Sequence, residues 1–167
     1  LTKTFGGMVH GRSGTVDWEV FRRLCAGSLP AAALTLVALY ALGADKVGGL
    51  LIQALGAVLI LTALAMLFKK AFHAFGQRLR TQLPADFKRA QPALTVVAGI
   101  ILGVLVSLTS IGAGALGAVM LVYLYPFRMK PARLVGTDIV HAVPLTIVAG
   151  TGHLLMGNVD FALLGSL

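Results

Sequence analysis

Residues 47–68, VGGLLIQALGAVLILTALAMLF, run without a single charge. As a helix rising about 1.5 Å per residue such a run covers about 30 Å of hydrocarbon, the core of a bilayer. Inside that core every backbone N–H and C=O must find its partner within the protein, and a run of this length satisfies them as a helix. Residues 27–43, 93–110 and 135–155 are further apolar runs of spanning length, and 116–125 is apolar but about half as long. With 57% hydrophobic and 12% charged residues and a mean hydropathy of +0.90, the chain lies far from a water-soluble globule. The expected fold is an all-α integral membrane protein, a polytopic helical bundle in contact with the lipid bilayer. In the first run Pro30 stands near the expected start, where a missing N–H is tolerated.

The formal net charge of +8 comes from short clusters between the apolar runs, not from an aromatic-rich polar face, which excludes nucleic acid as the partner. Lys69, Lys70, Arg78, Arg80, Lys88 and Arg89 crowd the segment 69–92. Arg12, Arg22 and Arg23 precede the first run, and Arg128, Lys130 and Arg133 follow the short one. Positive loops face the cytoplasm, so these three segments are expected on that side and the turn at 44–46 outside. Three regions follow: 1–68 as the remainder of a first transmembrane repeat, 69–92 as a basic cytoplasmic interfacial loop, and 93–167 as a second, incomplete repeat. Phe72, Phe75 and Leu79 are helically spaced within the loop, where His73 reads as solvated. Cys25 is a lone thiol with no pairing motif and reads as a small packing residue.

Two phrases almost repeat. In GMVHGRSGTVDW (7–18) and GTGHLLMGNVDF (150–161), Gly7, His10, Gly14, Val16 and Asp17 meet Gly150, His153, Gly157, Val159 and Asp160 at an offset of 143 positions. Five segments separate the copies if 93–110 and 116–125 form a hairpin, and an odd number places them on opposite sides. The expected architecture is therefore two repeats of inverted topology, as in many secondary transporters. Each repeat lacks what the other carries beyond the shared phrase, so the chain is expected to be a fragment of a longer protein.

Two stretches carry candidate chemistry. In SIGAGALG, the glycines Gly112, Gly114 and Gly117 break the chain before a ten-residue helix, which leaves N–H groups at a positive helix end suited to an anion. Thr109, Ser110, Ile111 and Ala113 complete this candidate substrate-binding break, with Thr137 nearby in the next run. The competing interpretation is close helix packing, which Gly99 and Gly103 also suggest; in that packing stretch Gly99→Ala is expected to leave transport unchanged. In VGTDIVHAVP, Asp138 is the only acidic residue well inside an apolar run, and His141 follows at i+3 on the same face. Proton coupling by this pair stands beside a plainer alternative, in which Thr137 or Asp138 caps a helix and His141 bonds a backbone carbonyl. His10, Asp17, His153 and Asp160 read as polar turns whose aspartates cap the following spans, because the spacing is too sparse for a metal site. No HExxH, GxSxG or P-loop is present, so no catalytic residue, cofactor or metal is assigned.

The stretch LTKTFGGMVHGRSGTVDW with GSLPAA after it, and TSIGAGALG, VGTDIVHAVPLT and GHLLMGNVD in the second half, resemble the TauE/SafE sulfite exporter family of bacterial and archaeal membrane proteins. The resemblance covers nearly the whole chain apart from 69–92. It implies a multi-span carrier of sulfite or related sulfur-containing anions, often small organosulfonates, across the inner membrane. It also implies a glycine motif in the first half, before Leu1. The alternative function is a non-transporting membrane scaffold or assembly partner. The oligomeric state is not legible.

Overall fold

The computed structural model describes residues 14–42, 44–82, 84–109, 114–155 and 157. They form six helices: α1 Trp18–Leu42, α2 Ala44–Leu67, α3 Lys69–Gln82, α4 Pro84–Thr109, α5 Ala115–Leu124 and α6 Pro131–Leu155. Trp18–Leu42, Phe87–Thr109 and Pro131–Leu155 are each long and apolar enough to cross a membrane. Ile52–Leu67 and α3, Lys69–Gln82, meet at a 67° bend and reach spanning length and apolarity only as a pair, which makes three crossings or up to four. The chain is thus a multi-pass, all-helical protein among the described residues.

Several local expectations change. The first span begins at Trp18, because Asp17 supplies its cap: the Oδ1 atom accepts the Val20 N–H at 3.3 Å. Pro30 consequently lies inside α1, where it removes an intrahelical bond, and not near its start. Residues 44–46, expected to turn, form the beginning of α2. The amphipathic segment is not a loop in its backbone, since 69–82 is helical and α4 begins at Pro84. His73 is half-buried, with Nε2 3.1 Å from Gln77 Nε2.

α1 and α4 make the closest helix pair. A Cβ at Gly99 would collide with the Leu24 carbonyl oxygen, one at Gly103 would come within 2.9 Å of the Ser28 Cα, and one at Gly27 within 2.9 Å of the Ile100 nitrogen. Small residues four apart let two backbones touch where lipid supplies no hydrophobic push between helices. The packing role expected of Gly99 and Gly103 is therefore realised, but Gly99→Ala is no neutral control, because the methyl itself meets backbone.

Six threonine hydroxyls inside the apolar helices are satisfied within their own helix. Thr35, Thr62, Thr95, Thr109, Thr137 and Thr146 each donate to the carbonyl four residues back. Leu34, Val37, Ile60 and Ile147 face outward. That belt would be an aggregation surface in water and is a lipid-facing one in a bilayer.

One end of the bundle gathers the basic segments. Arg128 bonds Asp17 and Glu19 at the start of α1, while Arg80, Lys88 and Gln91 share a small cleft with Tyr125, Pro126, Phe127 and Arg128. Gln91 Nε2 donates to the Leu124 carbonyl at 2.6 Å and so ties the end of α5 to α4. His153 lies near the other end of α6, sixteen residues or about 24 Å beyond Thr137, the residue that Asp17 touches.

Candidate functional site

α4 ends at Thr109, and α5 begins with Gly114 as its N-cap (φ −104°, ψ −58°) and no side-chain cap hydrogen bond from that residue. Ala118 N–H bonds the Gly114 carbonyl at 3.1 Å, which is the first intrahelical bond of α5. The N–H groups of the first turn therefore stand at a helix end without intrahelical partners. Ser110, Ile111, Gly112 and Ala113 lie outside the described residues. Thr109 is partly buried and donates its hydroxyl to Leu105 O at 2.6 Å.

Asp138 on α6 stands against this helix end. It is 9% exposed, and a Cβ at Gly117 would collide with its Oδ1, whereas a Cβ at Gly114 would sit 3.8 Å from Oδ2. Gly117 is thus the residue that lets a carboxylate lie beside the first turn of α5. Asp138 and Thr137 fall in the second turn of α6, which starts at Pro131, so neither caps its own helix.

Thr137 is fully buried and clamps two helices. Its hydroxyl donates to Arg133 O at 2.7 Å and accepts the Asp17 backbone N–H at 2.9 Å. The Asp17 carboxylate is held by Arg128 at both oxygens, Nε–H to Oδ2 at 2.6 Å and Nη2–H to Oδ1 at 2.8 Å. The same guanidinium reaches Glu19 Oε2 at 2.7 Å, and Glu19 also pairs with Arg23. Asp17 is therefore a helix cap, as expected of a polar turn, and in addition half of an ion pair. The sequence marks Arg128 only as a topology charge, since nothing in the spacing of residues 111 apart indicates a pair.

His141, three residues beyond Asp138, turns to a different neighbour. It is fully buried, with Nε2 2.8 Å from Ser28 Oγ on α1. Its Nδ1 has no hydrogen-bond partner among the described residues. On α4, Ser107 is also fully buried; its hydroxyl lacks a partner among the described residues, and its carbonyl accepts from His153 Nε2 at 2.9 Å. His153 thus ties α6 to α4 away from the basic end. Ser28 sits in the GSLPAA motif, and its pairing with a histidine 113 positions away was invisible to the sequence. His10 and Asp160 lie outside the described residues. Among the described residues no three His, Cys, Asp or Glu side chains gather as metal ligands would.

Membrane-length helices around a half-length helix, broken open beside a buried carboxylate, define a polytopic α-helical membrane protein. The sequence matches the profile of the sulfite exporter TauE/SafE family over residues 1–167, and the chain belongs to that family. It is 36% identical over 170 residues to the probable membrane transporter protein YjnA of Bacillus subtilis (strain 168). That alignment takes in all of this chain and 65% of the relative, so the chain spans a little under two thirds of the relative's length. No solved structure matches.

Proposed function

We propose that the protein is a carrier of sulfite or a related sulfur-containing anion, such as a short organosulfonate, across the inner membrane of a bacterial or archaeal cell. The anion binds at the break formed by Thr109, Ser110, Ile111, Gly112, Ala113, Gly114 and Gly117, near Thr137. Asp138 and His141 handle a coupled proton. The observation that carries this reading is α5, a ten-residue helix whose first turn opens beside Asp138 inside an apolar bundle. Family membership supports the substrate class.

Its attraction for anions comes from backbone N–H groups and the helix end more than from a fixed cation. A bidentate arginine clamp would hold a sulfur oxyanion tightly, and a carrier must release it in every cycle. Proteoliposomes of the full-length protein loaded with labelled sulfite, thiosulfate or methanesulfonate test the reading; flux of none of them above empty vesicles favours the scaffold alternative. Gly114→Val sharpens the test. The nearest described atom to a Cβ there is Asp138 Oδ2 at 3.8 Å, so a β-carbon meets no clash among the described residues, while the two methyl groups fill space that an anion approaching the backbone would need. The apparent KM is expected to rise at least about tenfold, the loss of one close polar contact, at unchanged expression. A normal KM would place the site elsewhere.

The inverted-repeat architecture belongs to the same proposal. In a Cys25→Ala background, Ser13→Cys and Asn158→Cys are expected to react with an impermeant thiol reagent from opposite sides of the membrane. Labelling of both from one side would refute the inversion.

A further inference from the structure

Two cavities adjoin along α3. One is an apolar groove of about 300 Å³ where α2, α3 and α5 meet, with Leu61, Phe72, Phe75, Met120 and Tyr123 in its walls. The other is the cleft of about 120 Å³ at the basic end, which Arg80, Lys88 and Arg128 line beside Gln91 and the exposed Phe127. Their spacing follows from one helix contact. Gly76 lies so close to Tyr123 that a Cβ there would collide with the Tyr123 carbonyl oxygen, and Phe75 stacks on the Tyr123 ring with centroids 6.1 Å apart. Arg80 stands on the same face of α3 as Gly76, one turn or about 6 Å further on, where Tyr125 follows Tyr123. α3 thus carries the wall of the groove directly into the wall of the cleft.

Charge in the cleft is unmatched. Arg128 and Arg23 balance Asp17 and Glu19, two cations against two carboxylates. Arg80 and Lys88 make no ion pair among the described residues. Nη1 of the half-buried Arg80 is shielded from water and has no hydrogen-bond partner there either, a donor left at a cost unless something binds it. Two positive charges are therefore in excess beside an apolar groove, on an amphipathic helix that leaves α2 at a 67° bend, as a helix lying along a membrane interface does.

We propose that one anionic glycerophospholipid occupies both cavities, with an acyl chain in the groove beside Leu61 and Met120 and the headgroup phosphate in the cleft between Arg80, Lys88 and Arg128. An apolar groove and a cationic cleft one helical turn apart match the two parts of such a molecule. A free phosphate would leave the groove empty. Guanidinium groups suit the phosphodiester because their N–H donors match its oxygens, and basic pockets between membrane helices hold such headgroups. A lipid that carries its own ammonium group brings a third cation to two unmatched ones, so the anionic lipid is preferred. Once bound, it joins α3 to the end of α5, adding to the protein's own ties there, Gly76 against Tyr123 and Gln91 to the Leu124 carbonyl.

The experiment is equilibrium binding of radiolabelled phosphatidylglycerol to the full-length protein purified in an uncharged detergent, with phosphatidylcholine and inorganic phosphate as the comparison ligands. The wild type is expected to bind phosphatidylglycerol at least about tenfold more tightly than phosphatidylcholine, and inorganic phosphate at the same concentration is expected not to displace it. Arg80→Gln combined with Lys88→Gln should raise the apparent dissociation constant at least about tenfold. Arg128 stays in place, because its removal strands Asp17. Lys88→Gln alone, at an exposed position that folding does not depend on, should raise it about threefold, which keeps the test open if the double variant folds poorly. Arg78→Gln removes the same charge from the opposite, exposed face of α3 and should change nothing. Leu61→Trp puts a larger side chain into the groove from an exposed position and should weaken the long-chain lipid at least about threefold. Equal affinity for the two lipids, displacement by inorganic phosphate, no binding of phosphatidylglycerol, or a normal affinity in Lys88→Gln or in Leu61→Trp each overturns the proposal. Equal weakening by Arg78→Gln does so as well, because the lipid would then respond to the charge of the whole helix and not to the cleft.

Discussion

Arg128→Ala is expected to lower the stability of the protein by about 2–3 kcal/mol, measured by thermal unfolding in detergent. The Asp17 side chain is 3% exposed, and both its oxygens are bonded by one guanidinium. Removing that partner strands a buried carboxylate, which among the described residues keeps only the capping bond to Val20 N–H. The figure sits below the usual cost of breaking a fully buried pair because the Arg128 side chain is 42% exposed, so water can enter the gap. Burial works against the Arg128 charge, but hydrogen bonds and attraction from Glu19 and Asp17 outweigh it and hold its pKa above the ordinary arginine value. The cation therefore persists at every pH at which the protein is handled, and the loss should be independent of pH above the carboxylate range. Asp17→Asn added to Arg128→Ala should lose less than the two single effects combined, because the stranded charge is gone. Glu19→Gln should have a far smaller effect, since both partners of that bond are solvent-accessible. Equal unfolding temperatures for wild type and Arg128→Ala would mean that the pair contributes nothing.

These contacts mark the boundary of what the sequence could reveal. Residues 47–68 and 93–110 announce their spans because hydrocarbon demands apolar side chains all round a helix, and no later packing detail alters that requirement. The half-length of α5 was legible for the same reason, from the glycines before it and PFRMKPAR after it. The start of α1 was missed by nine residues because Glu19, Arg22 and Arg23 look polar in a hydropathy count, whereas here they form the exposed face of an interfacial first turn. The same ambiguity hid α3, whose basic residues read as loop although Phe72, Phe75 and Leu79 already had helical spacing. Charge counting gathered 69–92, 128–133 and the start of α1 on one side, and the fold does bring Arg80, Lys88, Arg128 and Asp17 to one end. The partnerships themselves were not legible. Asp17 with Arg128, His141 with Ser28 and Asp138 with Gly117 are set by helix crossings between residues far apart in the chain or on separate helices, and nothing local in sequence encodes them. Asp138 shows the difference most sharply: a lone acid in an apolar run announces importance, but only the crossing of α6 with α5 places it at the helix end where an anion was expected.

The second large effect concerns a single methyl group. Gly99→Ala is expected to destabilise the protein by about 2–3 kcal/mol, an overpacking cost at the upper end of the usual range. Ordinarily this change would help, since alanine is the better helix former by about 1 kcal/mol. Here the new β-carbon collides with the Leu24 carbonyl oxygen and comes within 3.2 Å of the Ser28 nitrogen, and neither is a flexible side chain that can swing away. α1 and α4 would have to move apart. Such a shift would also disturb Ser28 and its contact with His141, so loss of transport should accompany loss of stability even though Gly99 touches no candidate ligand position. Gly150→Ala supplies the control: it lies in α6 with nothing within 4 Å of its β-carbon, so the same substitution should be neutral or mildly stabilising there. Paired melting curves and uptake rates for the two variants separate the effects. If Gly99→Ala melts with Gly150→Ala at or above the wild-type temperature, α1 and α4 do not cross backbone to backbone at Gly99. The close contact that sets Ser28 beside His141 would then have to be made elsewhere on the two helices.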